Sequence, residues 1–342
     1  MQSRPPITWM LTVRDGMPYL PLTLQSIAEQ TYSNHKIIAW DGGSKDGTIE
    51  ELRRWIPSRI NGVVIADQPM RIGPTRAAML SMADTELCAV LDADDISLPR
   101  RLERQVAFMV EHPEVGVLGT QSEFIDANAN PVSGWHYFTD DAQMRWSARW
   151  RCPFLHSTVM LRRNVILAAG NYRDFNWEDA DMWLRLSSMT EFHNLSEILV
   201  QYRRMSTSVT GAMTSFVPTA RQVAELNVDI LFPGLLDPVS AMQLWDATHL
   251  DHLDAPSRFV YFKQLKTAAV LLAEQAGKPD SYFTETELFR SQRYILRKRL
   301  YERAHLMPLV RLRHRFAKAT GRNLEPTGPC MRELEVDSGS QK

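Results

Sequence analysis

Cysteine is scarce: Cys88, Cys152 and Cys330 are the only three in 342 residues. Thiols so few and so scattered exclude a disulfide framework and a structural zinc site, and they fit a reducing compartment. No stretch reaches the roughly 18 apolar residues that a membrane-crossing helix needs. Met1–Pro6 also lacks the apolar core of a secretory signal. An excess of charge is missing too, because 39 Lys/Arg face 40 Asp/Glu for a formal net charge of -1. That balance gives no basis for a nucleic-acid partner, and any basic surface must be local. What remains is ordinary for a globular protein, with 44% hydrophobic and 23% charged residues. A chain of this length exceeds what one core usually serves and reads as two domains.

The most informative stretch is Cys88–Asp95, an apolar run that ends in three carboxylates within four residues. A buried strand of a parallel sheet has this pattern, with the acids emerging where the strand meets solvent, at the edge where ligands bind. Asp92 and Asp94 are two apart and project to the same side of an extended segment. Two hard oxygen donors on one side suit Mg²⁺ or Mn²⁺. The alternative is that these acids cap the helix beginning near Leu98.

Around that stretch the chain alternates strand and helix. Ile7–Val13 reads as a first strand and Tyr19–Gln30 as a helix with Leu20, Leu24 and Ile27 on one stripe. Lys36–Trp40 is a second strand ending at Asp41, followed by a Gly-rich turn through Thr48 and a helix over Ile49–Ile56. Gly62–Ala66 is a third strand ending at Asp67, Ala77–Ala83 a helix, and Leu87–Leu91 a fourth strand ending at Asp92. Right-handed crossovers make these strands parallel, so Asp41, Asp67 and Asp92 are expected at one sheet edge. Leu98–Glu111 is an amphipathic helix stopped by Pro113, and Val115–Leu118 a fifth strand. The pattern then weakens through Arg151, where Trp135, Trp146 and Trp150 fit either core or a sugar platform. Phe154–Leu161 reads as a strand, Asn164–Ala169 as a helix, Trp177–Met189 as a helix and Leu195–Tyr202 as a strand. The expected architecture is α/β, a mainly parallel Rossmann-like sheet flanked by helices over residues 1–211. Residues 212–342 form a helical extension, with helices over Pro256–Ala276 and Glu285–Leu306. Between Arg290 and Arg322 eleven Lys/Arg face Glu302 alone, at helical spacing with apolar residues. Such a stretch either lies on an anionic membrane or packs as a solvated face on its own protein.

Five motifs, taken together, resemble a known family. They are Leu11–Asp15, Asp41-Gly42-Gly43-Ser44-Lys45-Asp46-Gly47-Thr48, Arg76, Asp92-Ala93-Asp94-Asp95 and Glu178-Asp179. In this order they resemble the family 2 inverting glycosyltransferases of the type A fold, over roughly residues 7–210. The resemblance implies transfer of a sugar from a nucleotide diphosphate donor, with Mn²⁺ or Mg²⁺ as cofactor. It implies that Asp41 lies near the base, Thr12 and Arg76 near the nucleotide, Asp92 near the ribose and Asp94 on the metal. Arg14, Asp67 and Ala93 are expected in the same donor-facing set. Of the acidic pair, Asp179 would be the catalytic base and Glu178 its neighbour. Pro153–Met160, with His156, resembles the acceptor-side segment, and Trp177 is expected on that side. Tyr202-Arg203 resembles a late motif in which Met205 replaces the usual histidine, leaving Arg203 or Arg204 as the cation there.

The chemistry is consistent with that resemblance. A departing diphosphate needs its growing charge neutralised, and an acceptor hydroxyl needs a carboxylate within reach to take its proton. The expected partners are a nucleotide-sugar donor and a glycan or lipid-linked acceptor. The expected role is surface polysaccharide or lipopolysaccharide assembly in the cytoplasm or on the cytosolic face of a membrane. Two other classes compete: a haloacid-dehalogenase-type phosphatase with Asp92 as nucleophile, against which Ile96 stands where Thr or Val is usual, and a silent carbohydrate-binding protein on the same fold.

Overall fold

A computed structural model of the chain describes residues 4–66, 68–69, 71–175, 177–204, 217–249 and 255–283. The chain divides into two compact units, 1–230 and 231–342. In the first, strand and helix alternate as β1 (Ile7–Val13), α1 (Leu20–Ala28), β2 (His35–Asp41), α2 (Thr48–Trp55), β3 (Gly62–Ile65), α3 (Ile72–Met82) and β4 (Leu87–Asp92). The next elements are β5 (Ile96–Ser97), α4 (Arg101–Glu111), β6 (Val115–Ile125), β7 (Pro131–Trp135) and α5 (Asp141–Ser147). After a 3₁₀ turn at His156–Thr158 come β8 (Met160–Arg162), α6 (Arg163–Ala168), α7 (Glu178–Leu186) and β9 (Glu191–Arg203). Helices Val217–Leu226 and Val228–Leu231 follow, then Pro238–His249 and Ala255–Gln275. The expected boundary after residue 211, the helix over Glu285–Leu306 and the basic stretch over Arg290–Arg322 lie outside the described residues.

Among the described residues nine strands form one sheet in the order β3-β2-β1-β4-β8-β6-β9-β5, with β7 paired to β6. The section β3-β2-β1-β4 is parallel, as the short crossovers require. The rest is mixed: β8 runs antiparallel to both β4 and β6, β6 and β9 are parallel, and β5 is antiparallel to β9.

The two sides of β1 show why both faces are covered. Ile7, Trp9, Leu11 and Val13 pack with Leu20, Leu24, Leu52 and Leu102 on one side. Met10 packs with Ile38, Met79, Val90 and Trp183 on the other. Strand side chains alternate faces, so a strand buried on both reads as a continuous apolar run. Trp146 and Trp150 are core residues, edge to face at 5.7 Å between ring centroids.

Phe154–Leu161 is not one strand. The N–H and the hydroxyl of Thr158 both bond to the carbonyl of Leu155, at 2.9 and 2.7 Å, and close a 3₁₀ turn before the three-residue β8. Ser and Thr offer the backbone such local bonds in place of a ladder. β6 continues past Leu118 to Ile125, because its polar stretch Thr120–Ser122 is buried and paired to β9.

Candidate active site

The register aligns the ends of the parallel strands. Val13 lies beside Asp41, and Thr12 lies between Trp40 and Asp92. Asp41 and Asp92 therefore share one edge, the place where open α/β sheets bind ligands. Asp67 lies outside the described residues.

The loops after β1 and β2 are tied together at this edge. The N–H groups of Asp15, Gly16 and Met17 donate to Ser44 Oγ, Thr48 Oγ1 and Asp46 Oδ2 at 2.7, 2.8 and 2.8 Å. Asp41 is fully buried and accepts from the N–H groups of Gly43 and Ser44 at 2.9 and 3.2 Å, so it shapes the turn that follows it. Arg14 is exposed above that turn and Thr12 is half-buried.

The loop Asp92–Asp95 is held from three sides. The Asp92 N–H donates to Ser157 Oγ of the 3₁₀ turn at 3.0 Å. Thr23 Oγ1 of α1 lies 2.9 and 2.8 Å from the carbonyl oxygens of Ala93 and Asp95. From the end of β9, the Arg203 N–H donates to Asp95 Oδ1 at 2.8 Å and Arg203 Nε to the Asp94 carbonyl at 2.9 Å. Arg203 also donates through Nη1 to the carbonyls of Asp126 and Ala127, and it stacks on Tyr19 at 4.4 Å. Ala93 and Arg203 are buried, so they shape the acidic loop. Arg204 is exposed, its guanidinium 5.8 Å from the ring centroid of Phe124.

Asp94 differs from its neighbours. Among the described residues no side chain donates to its carboxylate, which its own backbone N–H stabilises, and burial, together with the charge of Asp92, pushes it up to about 6. Asp95 is fully buried, and burial raises its carboxyl well above the usual range.

Arg76 on α3 is the pivot of the site. It is buried and pairs with Asp92 Oδ1 through Nη2 at 3.0 Å and with Glu178 Oε1 through Nη1. These two carboxylates keep its guanidinium charged despite the burial that opposes it. Burial pushes Glu178 up to about 7, against the pull of Arg76. Gly73 lets α3 come this close to α7, because a Cβ there would lie 2.1 Å from the carbonyl oxygen of Arg173 and 3.3 Å from Glu178 Cβ.

Asp179 follows Glu178 in the first turn of α7. Its Oδ1 accepts from the Ala180 N–H at 2.8 Å and its Oδ2 from Cys152 Sγ at 3.7 Å. Burial raises its carboxyl, and the positive charge of Arg76 opposes that shift. Asp181, two residues further along α7, is fully buried and bound instead by Arg185, Arg173 and Asn227. Trp177 enters the helix with φ of 73°, the left-handed region that costs a non-glycine residue about 1–2 kcal/mol. His156 is buried, with Nε2 2.9 Å from the Tyr172 hydroxyl. Burial and then the charge of Arg76 hold it well below the usual range, so it is a neutral brace beside Arg76.

Elements far apart in sequence thus bring an arginine, four carboxylates and a thiol to one sheet edge. Comparison with known proteins fits this arrangement. Residues 10–173 match the model of glycosyl transferase family 2. The O-antigen biosynthesis glycosyltransferase WbnJ of Escherichia coli is 30% identical over 204 residues, which are 58% of this chain and 79% of that protein. The chain belongs to glycosyl transferase family 2. The amylovoran biosynthesis glycosyltransferase AmsE of Erwinia amylovora is 28% identical over 54% of this chain and 71% of that protein. The S. aureus TarS 1-349 structure in complex with UDP-GlcNAc superposes with a TM-score of 0.58 at 14% identity, covering 84% of this chain and 92% of that one, and shares the fold.

Membership makes the chain a glycosyltransferase, and the geometry sorts its expected residues. Thr12, Arg76, Asp92, Asp94, Glu178 and Asp179 come from the facing ends of β1, α3, β4 and α7. Asp41, Ala93 and Arg203 sit one layer below. Ser157, Thr23 and Cys152, which the sequence did not single out, are the added members. The Ser-Thr pair inside Pro153–Met160 was the only hint of Ser157.

Proposed function

We propose that the chain transfers a glycosyl group from a nucleoside diphosphate donor to a hydroxyl of a growing surface glycan, with inversion and with Asp179 as the base. The observation that carries this reading is the convergence of Arg76 with Asp92, Glu178 and Asp179 beside Asp94. The donor class is supported by TarS, whose structure holds UDP-GlcNAc. The acceptor class is supported by relatives named for O-antigen and amylovoran biosynthesis.

In this reading the nucleoside half of the donor lies over the ends of β1 and β2, by Thr12, Arg14 and the turn that Asp41 shapes, with Asp92 towards the ribose. Asp94 fits a divalent cation: a desolvated carboxylate beside a second one, with no side-chain donor among the described residues, is stabilised by an added positive charge. No group of three or more His, Cys, Asp or Glu side chains forms a closed metal cage among the described residues. Mg²⁺ and Mn²⁺ sites that share the donor's phosphates are built with one or two carboxylates and water. A bound Mn²⁺ or Mg²⁺ supplies Lewis-acid neutralisation of the leaving diphosphate.

Asp179 takes the acceptor hydroxyl's proton as the oxygen attacks the anomeric carbon from the face opposite the diphosphate. A single displacement needs one base and no covalent sugar intermediate. Burial keeps Asp179 more basic than a surface aspartate, which suits a base working near neutral pH. Arg76 holds Glu178 and Asp92 in place and balances the acids around the base. Trp177 flanks the acceptor side, while the buried His156 acts only through Arg76 and Tyr172. Cytosolic work at a membrane face, with the basic stretch over residues 290–322 as the contact, fits an acceptor on a lipid carrier. Among the described residues no helix is long and apolar enough to cross a membrane.

The test is a panel of uridine, guanosine and thymidine diphosphate sugars in thermal unfolding, with and without Mn²⁺. A true donor at 100 times its dissociation constant adds about 2.7 kcal/mol of stability. One donor class is expected to do this only with metal, and to be consumed. No shift and no consumption across the panel would overturn the reading.

A further inference from the structure

Cys152 lies in the segment between α5 and the 3₁₀ turn, 27 positions before Asp179 in sequence, and its Sγ is 3.7 Å from Asp179 Oδ2. The other oxygen of that carboxylate accepts from the Ala180 N–H at 2.8 Å. Among the described residues these are the donors that reach Asp179. We propose that Cys152 is a positioning residue for the base: its thiol proton, donated to Oδ2, fixes the plane of the Asp179 carboxylate and favours its ionised form. The inference rests on the reading of Asp179 as base.

Three observations support it. Burial, and then the negative charge of Asp179, hold the Cys152 thiol well above its usual range. The sulfur is therefore a protonated donor at neutral pH and not a thiolate competing for the sugar. A thiol is also a weak donor. A stronger one would lower the basicity of the carboxylate further, whereas a thiol orients it at small cost in proton affinity. Lastly, the other groups facing Asp179 do not duplicate this role. Arg76 on α3 attracts it, Glu178 on α7 and Asp92 on β4 repel it, and the half-buried Tyr137 and buried Tyr172 are kept protonated by desolvation. Among the described residues Arg76, Glu178, Asp92 and Tyr172 make no hydrogen bond on the Asp179 carboxylate, and the Tyr172 hydroxyl lies 2.9 Å from His156 Nε2.

The experiment compares the acid limb of the kcat/KM profile in the full chain for wild type, Cys152→Ala, Cys152→Val and Cys152→Ser, with Asp179→Asn beside them. Without a donor, Ala and Val should move the limb upward by about half a unit to one unit. Serine restores a donor and should return the limb to the wild-type position or below it, with donor affinity unchanged in all three. A space-filling role would instead be rescued by Val and not by Ser. Identical acid limbs in all three variants, or Ser behaving as Ala, would overturn the inference. Should Ala and Val fail to fold, Ser against wild type decides alone, since a limb that rises with Ser contradicts it and one that stays or falls supports it. Full activity of Asp179→Asn would instead remove the base assignment itself, and the two failures are distinct.

Discussion

Removing Arg76 would leave three acids without their cation. Arg76→Met keeps the length and apolar stem of the side chain and deletes the guanidinium that pairs with Asp92 and Glu178. Breaking a buried pair by removing one partner costs about 3–5 kcal/mol, because the remaining charge is left uncompensated. In this cluster the remaining groups can take up protons. Glu178 already sits at about 7 against 4.5 for an ordinary glutamate, and losing Arg76 pushes it and Asp179 higher. A carboxyl raised in the folded state contributes stability below its unfolded value, and that contribution is lost as pH rises through the folded value. The loss caused by Arg76→Met should therefore be smaller near pH 5, where Glu178 is protonated, and larger at pH 8, above its wild-type value of about 7. One unit of upward shift in Glu178 adds up to about 1.4 kcal/mol to the difference between the two pH values, and a larger shift adds little more because the group then stays protonated at pH 8. Urea unfolding of both proteins at pH 5 and pH 8 measures it. A loss under about 1 kcal/mol, or one equal at both pH values, would refute the view that Arg76 balances buried charge.

Asp94→Asn removes one anionic metal ligand, so donor binding should lose its Mn²⁺ dependence and kcat/KM should fall, while unfolding in metal-free buffer changes little; titration calorimetry with and without metal checks this. Gly73→Ala places a methyl 2.1 Å from the Arg173 carbonyl oxygen and should cost about 1–3 kcal/mol while lowering kcat, read by denaturation and turnover together. Trp177→Asn should leave stability unchanged or raise it, since Asn tolerates φ of 73° better, and should raise the acceptor KM if the ring flanks the acceptor.

The alternating fold was legible because its strands are buried on both faces and written as apolar runs ending in Asp41 and Asp92. Phe154–Leu161 was misread as one strand because Phe154, Val159 and Leu161 are buried together in one core cluster, and burial by packing leaves the same apolar signature as a ladder. The polar run Thr120–Ser122 hid the second half of β6, since its burial depends on β9, some 70 residues away. Within the candidate site, the motifs and the family resemblance singled out Asp92, Asp94, Glu178 and Asp179, but they did not separate residues exposed at the sheet edge from those that brace the loop. Arg203 shows the limit, for a buried guanidinium gripping three carbonyl oxygens and an exposed one reaching a phosphate are the same letter. Cys152 carries no signal at all in the sequence, because its contact with Asp179 is made only when the segment before the 3₁₀ turn folds over α7.

In the proposed reaction Asp179 removes the acceptor proton in a direct displacement. Single-turnover transfer by Asp179→Asn, measured beside donor binding with Mn²⁺, tests it most directly. The variant keeps the shape of the side chain and loses the proton acceptor, so the account predicts a fall of about 10²–10⁴-fold in rate with donor affinity unchanged. Transfer at the wild-type rate, or a loss matched by an equal loss of donor binding, would contradict it.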